Sequence, residues 1–129
     1  MADGPVVETP VGDPGFDPED LLRMVSPPVE GDVEIVLVDP GYMRVMNRRY
    51  RHIDRYTDVL TFDLSEGGAG PEGVIYADMR LAPPMEELLE RIFHGYLHLL
   101  GRTHDTEADS ASMAADVASM VAGALEGTR

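Results

Sequence analysis

The sequence predicts an α+β fold: one small domain in which a short mixed β-sheet is packed with helices, with a metal site on a central helix. Three observations predict it. β-Branched runs occur at Val33–Val38, Val59–Phe62 and Val74–Ala77; a strongly apolar helical stretch follows the last run; and three of the four histidines, His94, His98 and His104, fall within eleven residues of that stretch.

The first 30 residues hold Pro5, Pro10, Pro14, Pro18, Pro27 and Pro28 among glycines and acids, which excludes a long regular element. Pro18 to Met24 suits a short helix with Asp17 as N-cap. Val33 to Val38 alternates partly and reads as a strand. Asp39-Pro40 then caps and starts a helix to about Tyr50, with Tyr42, Met43, Met46 and Tyr50 as its apolar face. Thr57-Asp58 leads into the second strand. The stretch from Gly67 to Pro71 lacks the Lys-Ser/Thr of a phosphate-binding loop and reads as a turn before the third strand. Pro83-Pro84 opens the histidine helix, with Glu86 and Glu87 in a first turn where the helix dipole favours acids. Met85, Leu88, Leu89, Ile92, Phe93, Tyr96, Leu97 and Leu100 make it apolar around much of its circumference, so it is expected to be central. Asp105 or Thr106 caps a last helix running to about Leu125, which buries Met113, Val117, Met120, Val121 and Ala124.

The histidine spacing carries chemistry. His94 and His98 are one helical turn apart and leave the same face. Gly101 ends the helix by reversing the chain, which returns His104 toward them. Three histidines and an open position are the catalytic pattern for zinc, because a closed structural site would call on a fourth ligand, usually a thiolate, and the chain has no cysteine. Nickel or cobalt suits three imidazoles nearly as well. The pattern also resembles the metzincin protease helix, but those enzymes place a Glu general base after the first histidine, where this chain has Gly95.

The 129 residues and 43% hydrophobic content suit one modest core. No apolar run approaches the ~18 residues of a membrane span, and the N-terminus lacks the order of a signal peptide, so a soluble, cytoplasmic protein is expected. The net charge of −14 repels nucleic acid on average. One local reversal stands out: Arg44, Arg48, Arg49, Arg51 and Arg55 lie within twelve residues whose one acid is Asp54.

Three stretches together resemble the YbeY family of zinc-dependent endoribonucleases of ribosomal RNA maturation and quality control. His94-Gly95-x-Leu97-His98-Leu99-x-Gly101-x-x-His104 is similar to the family's histidine signature, Thr57-Asp58-Val59-Leu60-Thr61-Phe62 to its T-D-V-L-S-F strand, and Met46-Asn47-Arg48-Arg49-Tyr50-Arg51 to the segment before it. The resemblance implies that His94, His98 and His104 bind one zinc ion, that His98 and Arg51 serve catalysis, and that Arg51 holds the scissile phosphate through its guanidinium fork. Asn47 and Asp58 would organise the surroundings, a role that structural capping explains equally well. Residues 31–129 would form the hydrolase domain and residues 1–30 a shortened N-terminal segment. The implied partners are ribosomal RNA and the ribosome or its small subunit, and the implied reaction is endonucleolytic cleavage at the 16S 3′ end. Departures from the family are Thr103 in place of an Asp, Val74 in place of the acid in a Gly-Asp-Ile strand, and a shorter link from that strand to His94. A catalytically impaired RNA-binding assembly factor and a metalloprotease are the alternative readings.

Overall fold

The two-residue period of β2 (Asp32–Val38) sends Val33, Ile35 and Leu37 to one side and Val36 and Val38 to the other. In the computed structural model, which describes residues 4–10, 12–51, 58–64, 71–79, 84–102 and 105–126 but not the side chain of Arg51, β2 lies inside a four-stranded mixed sheet. β4 (Glu72–Asp78) runs parallel to it, with Ile75 opposite Ile35. β3 (Val59–Asp63) runs antiparallel to β4, with Thr61 opposite Ile75. A three-residue strand, β1 (Val6–Glu8), pairs in parallel with the other side of β2. The order is β1-β2-β4-β3, which makes β3 an edge.

Caps set the helices. The Asp17 side chain accepts the Glu19 N–H at 3.0 Å and starts α1 (Pro18–Val25). Asp39 Oδ1 accepts the Tyr42 N–H at 2.8 Å at the head of α2 (Pro40–Arg51). The Pro84 carbonyl accepts the Glu87 and Leu88 N–H groups, so Pro84 is the N-cap of α3 (Met85–Leu99), and Pro83 lies outside the described residues. Thr106, of the two candidates, caps α4 (Glu107–Glu126), its hydroxyl accepting the Asp109 N–H at 3.0 Å.

The two faces of the sheet are covered differently. α1, α3 and α4 pack on Val33, Ile35, Leu37, Ile75 and Ala77. α2 lays Met43 and Met46 over Val36, Val38 and Leu60 on the opposite face. Leu88, Leu89, Ile92 and Phe93 are 0% exposed, which makes α3 the central helix expected from its composition; each such side chain contributes roughly 1.5–3 kcal/mol.

Met85 and Met120 are only half-buried against the core, and three other side chains assigned to apolar faces are exposed. Leu100 is 48% exposed because the helix has ended at Leu99 and its periodicity no longer applies. Tyr42 and Tyr50, 38% and 54% exposed, lie at the margins of α2 against other rings instead of beneath it. β1 was not expected, since three residues carry too little pattern to read as a strand. Residues 65–70 of the glycine-rich turn lie outside the described residues. No helix among the described residues is long and apolar enough to cross a membrane.

Candidate functional site

Burial of Leu88, Leu89, Ile92, Phe93, Tyr96, Leu97 and Leu99 fixes the rotation of α3, leaving His94 and His98 half-buried on the same face. Their rings meet at an angle of 62° with centroids 4.7 Å apart, and the two Nε2 atoms are 3.0 Å apart.

The end of α3 then orients one of them. Gly101 has φ +90°, a left-handed conformation that costs glycine little. Its N–H donates to the His98 carbonyl at 2.9 Å, and the Arg102 N–H donates to the Leu97 carbonyl at 2.9 Å, the paired bonds of a Schellman turn. That turn carries the Arg102 carbonyl back over the helix to 3.0 Å from His98 Nδ1. A carbonyl only accepts, so Nδ1 carries the proton and Nε2 presents its lone pair outward. On α4, Asp116 and Ser112 accept bonds from the Arg102 guanidinium at 2.8 and 3.3 Å, which ties this turn to the next helix.

The pair fits a metal ion. Nitrogens ~2.0–2.1 Å from a tetrahedral zinc are themselves ~3.3 Å apart, close to the observed separation, and a ligating histidine ordinarily donates its other N–H to a carbonyl or carboxylate. His104, the third expected ligand, and Thr103 lie outside the described residues, as does the side chain of Arg51. Among the described residues, no group of three or more His, Cys, Asp or Glu side chains could hold a metal.

Gly95 explains why the resemblance to a protease helix stops short. A Cβ there would stand 2.8 Å from Ile75 Cγ2, 3.0 Å from Thr61 Oγ1 and 3.1 Å from Val59 Cγ2. The Thr61 hydroxyl also donates to the Gly95 carbonyl at 3.2 Å. α3 thus rests directly on β3 and β4 at this residue, and a Glu side chain has no room. The position that carries the general base in those proteases is a packing contact here.

His94 opens into a groove of about 540 Å³ that Asp58, Glu87, Glu90 and Arg91 also line, with Val117 of α4 at its back. Arg91, three residues before His94 and on the same side of α3, was missed by sequence reasoning; its i, i+3 offset was the available signal. Its guanidinium donates to the Asp78 carbonyl at 2.6 Å and lies 3.7 Å from Asp58 Oδ2. Asp58 therefore lines the groove beside Arg91. Asn47 does not: it is buried on α2, on the far side of the sheet. Val74 also faces that far side, packed with the α2 cluster, so the acid missing from this strand is not missing from the histidine face. A larger groove of about 860 Å³, between α1 and α4, has Asp20 and Arg23 as its one charged pair and holds no histidine.

Comparison with known proteins gives a consistent set of relatives. The sequence model of the family described as endoribonuclease YbeY matches residues 19–77, a span from α1 through most of β4 that ends before the histidine helix. The endoribonuclease YbeY of Moorella thermoacetica is 36% identical over 114 residues, covering 73% of this chain and 73% of the relative. That of a Nitratiruptor species is 38% identical over 109 residues, covering 78% and 74%. A solution structure of a Thermotoga maritima protein superposes with a TM-score of 0.60 at 26% identity, covering 97% of this chain and 91% of that one.

Proposed function

Because this chain belongs to the endoribonuclease YbeY family, we propose that it hydrolyses phosphodiester bonds of single-stranded RNA with one zinc ion held by His94, His98 and His104. Its substrate in this reading is ribosomal RNA at the 16S 3′ end, and its setting is ribosome maturation and quality control in the cytoplasm, with the small subunit as partner. The observation that carries the proposal is the pair of Nε2 atoms 3.0 Å apart, one of them aimed by the Arg102 carbonyl.

When bound, zinc supplies an activated water and a Lewis acid for a phosphoryl oxygen. The chain's own residues do the rest. His98 is held in the tautomer that leaves Nε2 able to coordinate. Arg51, at the end of α2, binds the scissile phosphate and offsets charge as it develops. Arg91 braces the groove by joining the Asp78 carbonyl to Asp58. Gly95 can accept no proton, so among the described residues the groove carboxylates Asp58, Glu87 and Glu90 are the candidates to take the proton from the nucleophile, whether water or the RNA 2′-hydroxyl.

The test is cleavage of a 16S 3′-end RNA by zinc-loaded protein, beside His98→Ala purified in the same way. Cleavage by the parent alone supports the nuclease. Equal cleavage by both, or none by either, removes the enzyme reading and leaves an RNA-binding assembly factor.

A further inference from the structure

We propose that the α2 face of the sheet is a stacking platform for single-stranded RNA, separate from the histidine groove and lying just across the edge strand from it. The inference rests on the reading of RNA as the substrate and adds where that RNA is held.

Four rings form a continuous row. Tyr42 stacks on Tyr76 with centroids 6.1 Å apart and planes 27° apart; Tyr76 meets Phe62 edge-on at 5.8 Å; and Phe62 meets Tyr50 edge-on at 5.5 Å. The chain has only five Tyr and three Phe, so half of these rings stand here. The two outer rings are not core rings: Tyr42 and Tyr50 are 38% and 54% exposed, against 0% for Phe93 and 6% for Tyr96, while Phe62 and Tyr76 between them are half-buried against the α2 cluster. Leaving large rings in water at the edge of a fold is unfavourable unless something covers them.

Charge identifies the occupant. The net charge is −14, yet α2 from Pro40 to Arg51 contains no acid and four arginines. Arg48 and Arg49 are exposed, and the Arg49 guanidinium lies 5.9 Å from the centre of the Tyr50 ring. Exposed rings beside arginines suit a single strand, whose unpaired bases stack on rings while its phosphates meet guanidinium groups. A duplex presents no free base face. The platform also has a boundary. Glu8 and Glu34 stand exposed on β1 and β2, on the side of β4 away from β3, so a polyanion is turned away from β2 and kept on α2 and β3.

The topology joins this row to the histidines. Phe62 and Thr61 are neighbours on β3, with Phe62 in the ring row and Thr61 under Gly95 on the opposite face. Among the described residues no strand lies beyond β3, so a nucleic acid strand held by the rings reaches the His94 side by passing over a single edge.

The test is fluorescence anisotropy with a labelled 12-nucleotide single-stranded RNA and the full chain in EDTA, so that binding is read without cleavage. Tyr50→Ala is expected to weaken binding about tenfold, while Tyr50→Phe keeps it. Arg49→Ala is expected to lower the slope of log affinity against log salt by ~0.7. Arg23→Ala, the same charge change on α1, leaves binding unchanged. No binding by the parent, equal losses from Arg23→Ala and Arg49→Ala, or equal affinity for a duplex of the same sequence would overturn the platform. Unchanged RNA affinity in both Tyr42→Ala and Tyr50→Ala would overturn it too, and would make the row a protein-docking face. Cleavage by the zinc-loaded parent alongside ring variants with normal affinity removes the platform and keeps the nuclease; ring-dependent binding without cleavage does the reverse.

Discussion

His98 Nδ1 lies 3.0 Å from the carbonyl oxygen of Arg102, a group brought there by the left-handed turn at Gly101. The aim of a candidate zinc ligand therefore depends on a backbone conformation three residues away. Gly101→Ala meets no neighbouring atom within 4 Å, so its cost is conformational; a side chain forced into the left-handed region loses about 1–2 kcal/mol. Urea denaturation should show that loss, and competition with a chromophoric chelator should show zinc binding weakened roughly tenfold as the carbonyl shifts.

Arg102→Ala separates backbone from side chain at the same turn. The Arg102–Asp116 pair is 2.8 Å long with side chains 35% and 52% exposed. Such a surface pair is worth about 0–1 kcal/mol. The variant should lose no more than that in denaturation, and because the carbonyl is held by backbone bonds, its zinc affinity should be unchanged in the same competition assay.

Two helical glycines should respond to alanine with opposite signs. At Gly95 a Cβ sits 2.8 Å from Ile75 and 3.0 Å from Thr61, so α3 must lift from the sheet. Overpacking of this kind costs about 1–3 kcal/mol, more than the ~1 kcal/mol that alanine gains over glycine in a helix. At Gly123 on α4 nothing lies within 4 Å and the residue is exposed, so the helix gain stands alone. Thermal unfolding should give a lower Tm for Gly95→Ala and a higher one for Gly123→Ala.

Much of this was legible in the chain. The caps at Asp17 and Asp39, the three longer strands, the turn at Gly101 and the facing of His94 and His98 are local, and local spacing shows them. What was hidden depends on tertiary structure. β1 exists because Val6 to Glu8 pairs with β2, not because of its own pattern. The placing of β4 between β2 and β3 follows from packing that no linker spells out. Asn47 and Asp58 looked alike as neighbours of the site, yet they sit on different sides of the sheet, and only the fold sorts them. Tyr42 and Tyr50 have core spacing, but α2 is placed so that their rings rest on Tyr76 and Phe62 at the surface.

The ring row also has a titration signature. The Tyr76 hydroxyl is held above the ordinary tyrosine value of 10.0, first by burial and then by Tyr42, Tyr50, Glu34 and Glu8. Between its unfolded and folded pKa values the unfolded chain has lost a proton that the native protein keeps, so stability falls as pH rises above about 10. Denaturation followed from pH 9 upward should show this decline, and Tyr76→Phe should flatten it. Tyrosinate absorbance should show one ring ionising late in the parent and not in the variant.

The most direct measurement is the rate of single-stranded RNA cleavage as zinc is titrated into metal-free protein, with bound zinc counted in the same samples and His94→Ala and His98→Ala treated identically. The expected result is a rate rising in proportion to zinc up to one ion per chain, with both variants losing tight zinc binding and cleavage together. A rate independent of zinc occupancy, or retained by either variant, would contradict the histidine centre as the source of the chemistry.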